Sequence, residues 1–211
     1  MKTILSSGII AILLLLGPLA TAQEQVEDNT FGGWEFIEIN HNFGKSPIFG
    51  SIYFEHDNFQ YQRLDCWYIR TTVGVKILPW LSADVAYDFL RDPSAFSHRA
   101  IFDLTGSLKE GHVSVSLRER YMHSWTPSKG EQSDVLRSRL KVQYNFDNSR
   151  FSPYVAVELF TWGVTYKKCR YYAGCYYNFS KKVQAEAYYF YYAFDGKPAE
   201  HVLGIGLNFY L

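Results

Sequence analysis

Leu136-Arg137-Ser138-Arg139-Leu140-Lys141-Val142-Gln143-Tyr144-Asn145-Phe146 decides the fold. Leu136, Ser138, Leu140, Val142, Tyr144 and Phe146 share one parity, and Arg137, Arg139, Lys141, Gln143 and Asn145 share the other. A period of two is that of a strand with one apolar and one polar face. Trp67, Ile69, Thr71, Val73, Val75 and Ile77 likewise oppose Cys66, Tyr68, Arg70, Thr72, Gly74 and Lys76. Leu81 to Phe89, Lys168 to Phe179 and Val202 to Leu211 repeat the pattern, and the charged residues of these alternating positions collect on a single face. Less regular versions run over Trp34–Phe43, Ile48–His56, Arg99–Leu108, Val113–His123, Tyr154–Trp162 and Val183–Phe194, so strands fill nearly the whole chain.

The connections read as alternating in length. Gly44–Pro47, Pro79, Lys109–Gly111, Asp147–Ser152 and Ser180–Lys182 are tight, whereas His56–Leu64, Arg91–Ser97, Ser124–Ser133 and Gly196–Ala199 are longer and polar. Short turns on one side and long loops on the other are the layout of an outer-membrane barrel. The segments number eleven, and since single-chain bacterial barrels have even counts, the expectation is ten strands or twelve. Ten results if the segment around Trp34 does not span, and twelve if a long segment hides a further hairpin.

Composition agrees. The chain has 211 residues, 21 basic and 21 acidic, with 47% apolar and 18% aromatic residues. Zero net charge without long single-sign runs argues against a nucleic-acid partner, which requires a clustered basic excess. Met1 and Lys2, the apolar run Ile9–Leu16 and the small residues Ala20-Thr21-Ala22 have the form of a signal peptide over residues 1–22. A short lead, residues 23–30, would then precede a barrel over residues 31–211. The apolar run is well short of the roughly 20 residues a helical span needs. Cys66, Cys169 and Cys175 suggest neither a disulfide framework nor a zinc site, because no CxxC spacing occurs.

A soluble lipocalin-like carrier has the same period with its apolar face inside. Three features favour the membrane: strand lengths that suit a tilted crossing, aromatics at apolar strand ends (Tyr87, Phe89, Tyr144, Phe146, Phe179, Phe209), and a last strand closing on Leu207, Phe209 and Leu211. That ending resembles the signal by which the barrel-assembly machinery recognises outer-membrane barrels. Trp34 in the first strand, the pairs Arg118/Arg120 and Arg137/Arg139, Glu158-Leu159-Phe160 and the final Asn208-Phe209-Tyr210 resemble the outer-membrane barrel family catalogued as domain of unknown function twenty-four-ninety. The resemblance covers the mature chain and implies an all-β, closed antiparallel barrel in a Bacteroidetes-like outer membrane. It transfers no site residue.

With the apolar face in lipid, the lumen receives Arg70, Lys76, Arg99, Arg118, Arg120, Arg137, Arg139, Lys141, Lys168 and Arg170, with Glu55, Asp84, Asp88, Asp103, Glu158 and Glu186 as acidic partners. Arg118, Arg120, Arg137 and Arg139 fall on adjacent strands as a four-guanidinium patch, which would favour small anionic solutes. The alternative is that these charges pair with the carboxylates and close a small lumen, since lumenal charges demand partners whatever the function. Tyr172, Tyr176, Tyr188, Phe190 and Tyr192 narrow it further. A lipid-modifying barrel enzyme would need His123, His98, His112 or His201 within reach of a serine and a carboxylate at the membrane edge; Ser124 follows His123 but faces the other way. No G-x-S-x-G, HExxH, P-loop or dinucleotide fingerprint is present, so no cofactor and no metal is implied. Glu119 breaks the pattern by sharing parity with Leu117 and Tyr121, and a β-bulge, a head-group position or a lipid-contacting carboxylate would account for it.

Overall fold

Each strand pairs with its sequence neighbours, so the chain meanders around a ring: β1(Thr30–Asn42), β2(Ile48–Phe59), β3(Arg63–Leu78), β4(Leu81–Arg91), β5(Phe96–Glu110), β6(Val113–Thr126), β7(Glu131–Tyr144), β8(Phe151–Trp162), β9(Thr165–Asn178), β10(Val183–Phe194) and β11(Lys197–Tyr210). The computed structural model describes residues 30–59, 63–162, 165–194 and 197–211. The expected signal peptide, residues 1–22, and nearly all of the expected lead, residues 23–30, lie outside the described residues.

The ring is a closed barrel of eleven described strands, not ten or twelve. The Trp34 segment does span, and no long segment divides. In an up-and-down barrel with an odd strand number the first and last strands run the same way, and β1 and β11 do pair in parallel, from Thr30 opposite Glu200 to Asn40 opposite Tyr210. All other pairs are antiparallel. The expected inequality of loops is also corrected. Among the described residues, Asp92–Ala95 of Arg91–Ser97 and Pro127–Gly130 of Ser124–Ser133 are all that lies outside strands in the segments expected as long loops, and β6 and β7 stay paired as far as Thr126 opposite Glu131. Polar composition there signals strand ends outside lipid, where backbone pairing continues and only the side chains change.

The parity rule sorts the two faces. Val73, Val85, Val155, Leu203 and Ile205 are more than half exposed on the outer surface, whereas Glu158, Asp88 and Phe190 are wholly buried inside. An interior of carboxylates within an aliphatic belt is the reverse of a lipocalin-like carrier. Aromatic residues mark both rims: Tyr87, His98, Trp125 and Phe89 with Phe96 near the Asp92 turn, and Tyr144 with Phe146 and Tyr177 with Phe179 at the opposite end. Gly204 and Gly206 in β11 face inward, where Tyr188 and Phe36 lie flat on their backbone and leave no room for a Cβ.

Candidate functional site

Register brings the lumenal charges together. Opposite Glu158 on β8 stand Arg139 on β7 and Arg170 on β9, and one rung away lies Arg137. The Glu158 carboxylate accepts hydrogen bonds from Arg137 Nη2 at 2.8 and 2.9 Å, from Arg118 Nη2 at 3.0 Å and from the Tyr172 hydroxyl at 3.1 Å, with Arg170 Nη1 at 3.6 Å. A second knot forms around Asp88, held by Arg70 at 2.6 and 2.8 Å and by Arg99 at 2.8 Å. Asp103 takes Arg120 in a third, with Nε at 2.7 Å. Buried charges of one sign are costly alone, and here each such carboxylate sits among guanidinium groups.

The four-guanidinium patch is real as a placement, since Arg118 faces Arg139 and Arg120 faces Arg137 across β6 and β7. Three of the four are tied to carboxylates of other strands. Arg139 is the exception: it lies 4.7 Å over the Tyr172 ring, and its solvent-shielded Nε has no hydrogen-bond partner among the described residues. Lys141, two residues on, contacts Tyr154 and Tyr176 and is 3.4 Å from the Tyr176 hydroxyl. Lys76 stands at the Pro79 rim, 3.1 Å from the Asn42 amide oxygen.

Among the acids, Glu55 accepts from Tyr53, and Glu186 accepts from Tyr154 at 2.5 Å. Glu38, Asp57 and Glu200 also belong to this face, and the expected set lacked them. Glu38 and Asp57 each continue the inward parity of their strand, Glu38 with Trp34 and Phe36 and Asp57 with Tyr53 and Glu55. Reading the irregular first two segments at the same period would have found them. With them the acids come close to matching the bases, and the basic excess expected of the lumen largely disappears.

A cavity of about 730 Å³ occupies the space between, lined by Glu38 and Asn208 toward the Pro79 rim and by Asp57 and Leu90 toward the Asp92 rim. Ile101, Met122, Val135, Phe160, Phe190 and Val202 fill the remaining interior on the β5–β8 and β10–β11 side. The cavity is thereby narrowed, and all eleven described strands contribute to its lining, β7 with Arg137, Arg139 and Lys141.

On the outer face, Glu119 remains where its parity places it. Pairing runs without a register shift through Leu104 opposite Glu119 and Glu119 opposite Ser138, which removes the bulge explanation. Its carboxylate accepts a 2.6 Å hydrogen bond from Ser138, which supplies locally a partner that lipid does not. His123 finds a carboxylate, Asp134, at 2.9 Å, and Tyr121 donates to the same oxygen at 2.6 Å. No hydrogen bond between a serine and His123 occurs among the described residues. His98 and His201 pair with tyrosine hydroxyls in the aromatic rim, and His112 lies 3.5 Å from Asp147. No cluster of metal-ligating residues occurs among the described residues.

A family model described as "Protein of unknown function (DUF2490)" matches residues 31–201. The chain belongs to this family. Among solved structures, two porins are similar to it. A structure titled KdgM porin aligns at 13% identity over 74% of this chain and 81% of its own, with a TM-score of 0.50. A NanC porin aligns at 13% identity over 82% of this chain and 91% of its own, with a TM-score of 0.54. No curated protein matches the sequence. This member of the family is a porin-like, closed β-barrel of outer-membrane type.

Proposed function

We propose that the protein is a narrow outer-membrane channel for small solutes, and that the anionic group of a solute is met at Arg139 and Lys141. The supporting observation is the charged cavity inside the barrel, onto which these two cations face without a carboxylate in ion-pair distance among the described residues. Arg70, Arg118, Arg120, Arg137 and Arg170 act instead as the cationic half of the knots that hold the wall in shape. A desolvated guanidinium without a carboxylate in ion-pair distance attracts an anion more strongly than one already paired, which distinguishes Arg139 from Arg118, Arg120 and Arg137. Its environment of membrane lipid and its assembly by the barrel-assembly machinery follow from the same proposal.

The test is single-channel conductance of the refolded protein in a planar bilayer, with selectivity taken from the reversal potential across a salt gradient. Discrete steps whose anion preference falls in Arg139→Gln and Lys141→Gln support the channel. Absence of conductance from verified folded barrel would replace it with a sealed, structural barrel.

A further inference from the structure

The unpaired charges of the cavity are segregated by wall. Arg139 and Lys141 face it from β7. Glu38 on β1, Glu55 and Asp57 on β2, Asp84 on β4 and Glu186 on β10 face it from the half of the ring centred on β1 and β2, none with a cation in ion-pair distance among the described residues; Glu55 accepts from Tyr53 and Glu186 from Tyr154. In the ring order, β7 is five strand steps from β2 in one direction and five from β1 in the other, the greatest separation eleven strands allow. The knots of Asp88, Asp103 and Glu158 hold six guanidinium groups against three carboxylates, and most of that basic excess lies on β5–β9, the same side as β7. A field therefore points across the lumen from β7 toward β1 and β2.

We propose that the cavity selects zwitterionic solutes, molecules with a carboxylate and an ammonium group at opposite ends, such as an amino acid, an amino-sugar acid or a short peptide. The solute lies across the lumen with its carboxylate toward Arg139 and Lys141 and its ammonium toward Glu38 and Glu55. A simple anion attracted to β7 is repelled by the opposite wall, and a simple cation suffers the converse; only a dipolar solute satisfies both. The cavity volume of about 730 Å³ lies in the range that holds a small molecule. Tyr53 and Tyr172 border the cavity beside the two charged walls, next to the middle of such a molecule. The inference rests on the channel reading and narrows its substrate class.

The experiment compares uptake into proteoliposomes of three probes of one length: gamma-aminobutyrate, gamma-hydroxybutyrate and the corresponding amino alcohol, with protein-free vesicles as background. The zwitterion is expected to enter roughly fivefold faster than either monopole, the ratio that about 1 kcal/mol of added pairing produces. Glu38→Gln with Glu55→Gln should abolish that advantage in favour of the anion, and Arg139→Gln with Lys141→Gln in favour of the cation. The comparison on the unmodified protein stands alone if a variant does not fold. Equal rates, or fastest entry of the anion, in vesicles that conduct small ions would overturn the zwitterion proposal and leave the channel. No uptake and no conductance would overturn both.

Discussion

Glu158→Gln tests the claim that ion-pair knots hold the lumen in shape. The carboxylate is wholly buried and faces Arg137, Arg118 and Arg170 at 2.8, 3.0 and 3.6 Å. Glutamine keeps the volume and one acceptor oxygen but removes the negative charge, leaving three guanidinium groups in one desolvated layer. Removing one partner of a buried pair costs about 3–5 kcal/mol, because the surviving charge is uncompensated. The loss is placed at the upper end of that range, since the hub serves several cations. In equilibrium terms it lowers the folded-to-unfolded ratio by roughly two to three and a half orders of magnitude, at about 1.4 kcal/mol per tenfold. The assay is urea unfolding of the refolded barrel in detergent, followed by tryptophan fluorescence and by the heat-modifiable band on gels. A second variant, Glu158→Gln with Arg137→Gln, should recover part of the loss by removing the best-placed orphaned cation. If Glu158→Gln unfolds within about 1 kcal/mol of the parent, or if the double variant is weaker than the sum of the two single changes, the knot is not what stabilises this wall.

Gly206→Ala should destabilise the barrel by about 1–3 kcal/mol, the usual cost of overpacking, because the new Cβ meets the Phe36 ring; Gly106→Ala, with open space around it, is the control in the same unfolding assay. Glu119→Leu combined with Ser138→Ala should raise stability by about 1 kcal/mol, since an acidic group leaves the lipid face; a loss would show that the pair is needed there. The Asp92 carboxylate is held below its usual value of 3.8 by hydrogen bonds from the Ser94 hydroxyl and from the Ser94 and Ala95 amides. A depressed value means that this stabilisation is present above the unfolded-state pKa and lost as pH falls through the folded one. Thermal unfolding of the parent and Asp92→Asn should therefore differ near neutral pH and converge in strong acid.

The sequence by itself settled what depends on neighbours one and two positions apart. Arg137, Arg139 and Lys141 lie on one face and Leu136, Leu140 and Val142 on the other because a strand's side chains alternate, and the length of apolar faces and the rim aromatics pointed to lipid outside. The inward position of the basic residues, the adjacency of Arg118 and Arg120 to Arg137 and Arg139, and the family resemblance were all legible on that basis.

What distant strands do to one another was not legible. Strand number is one case: eleven segments are visible in the chain, but whether the ends close the ring in parallel or antiparallel is decided by pairing of β1 with β11, far apart in sequence. Loop length is another, because polar residues between Ser124 and Ser133 look the same whether the backbone is paired or free. Most of all, period two says that a guanidinium points inward but not which carboxylate it meets. The choice of Glu158 for Arg118, Arg137 and Arg170, and of Tyr172 for Arg139, is made by strand stagger and side-chain reach across the lumen. Alternation is a local property of the backbone; charge compensation is set by through-space distance, and only the closed barrel defines those distances.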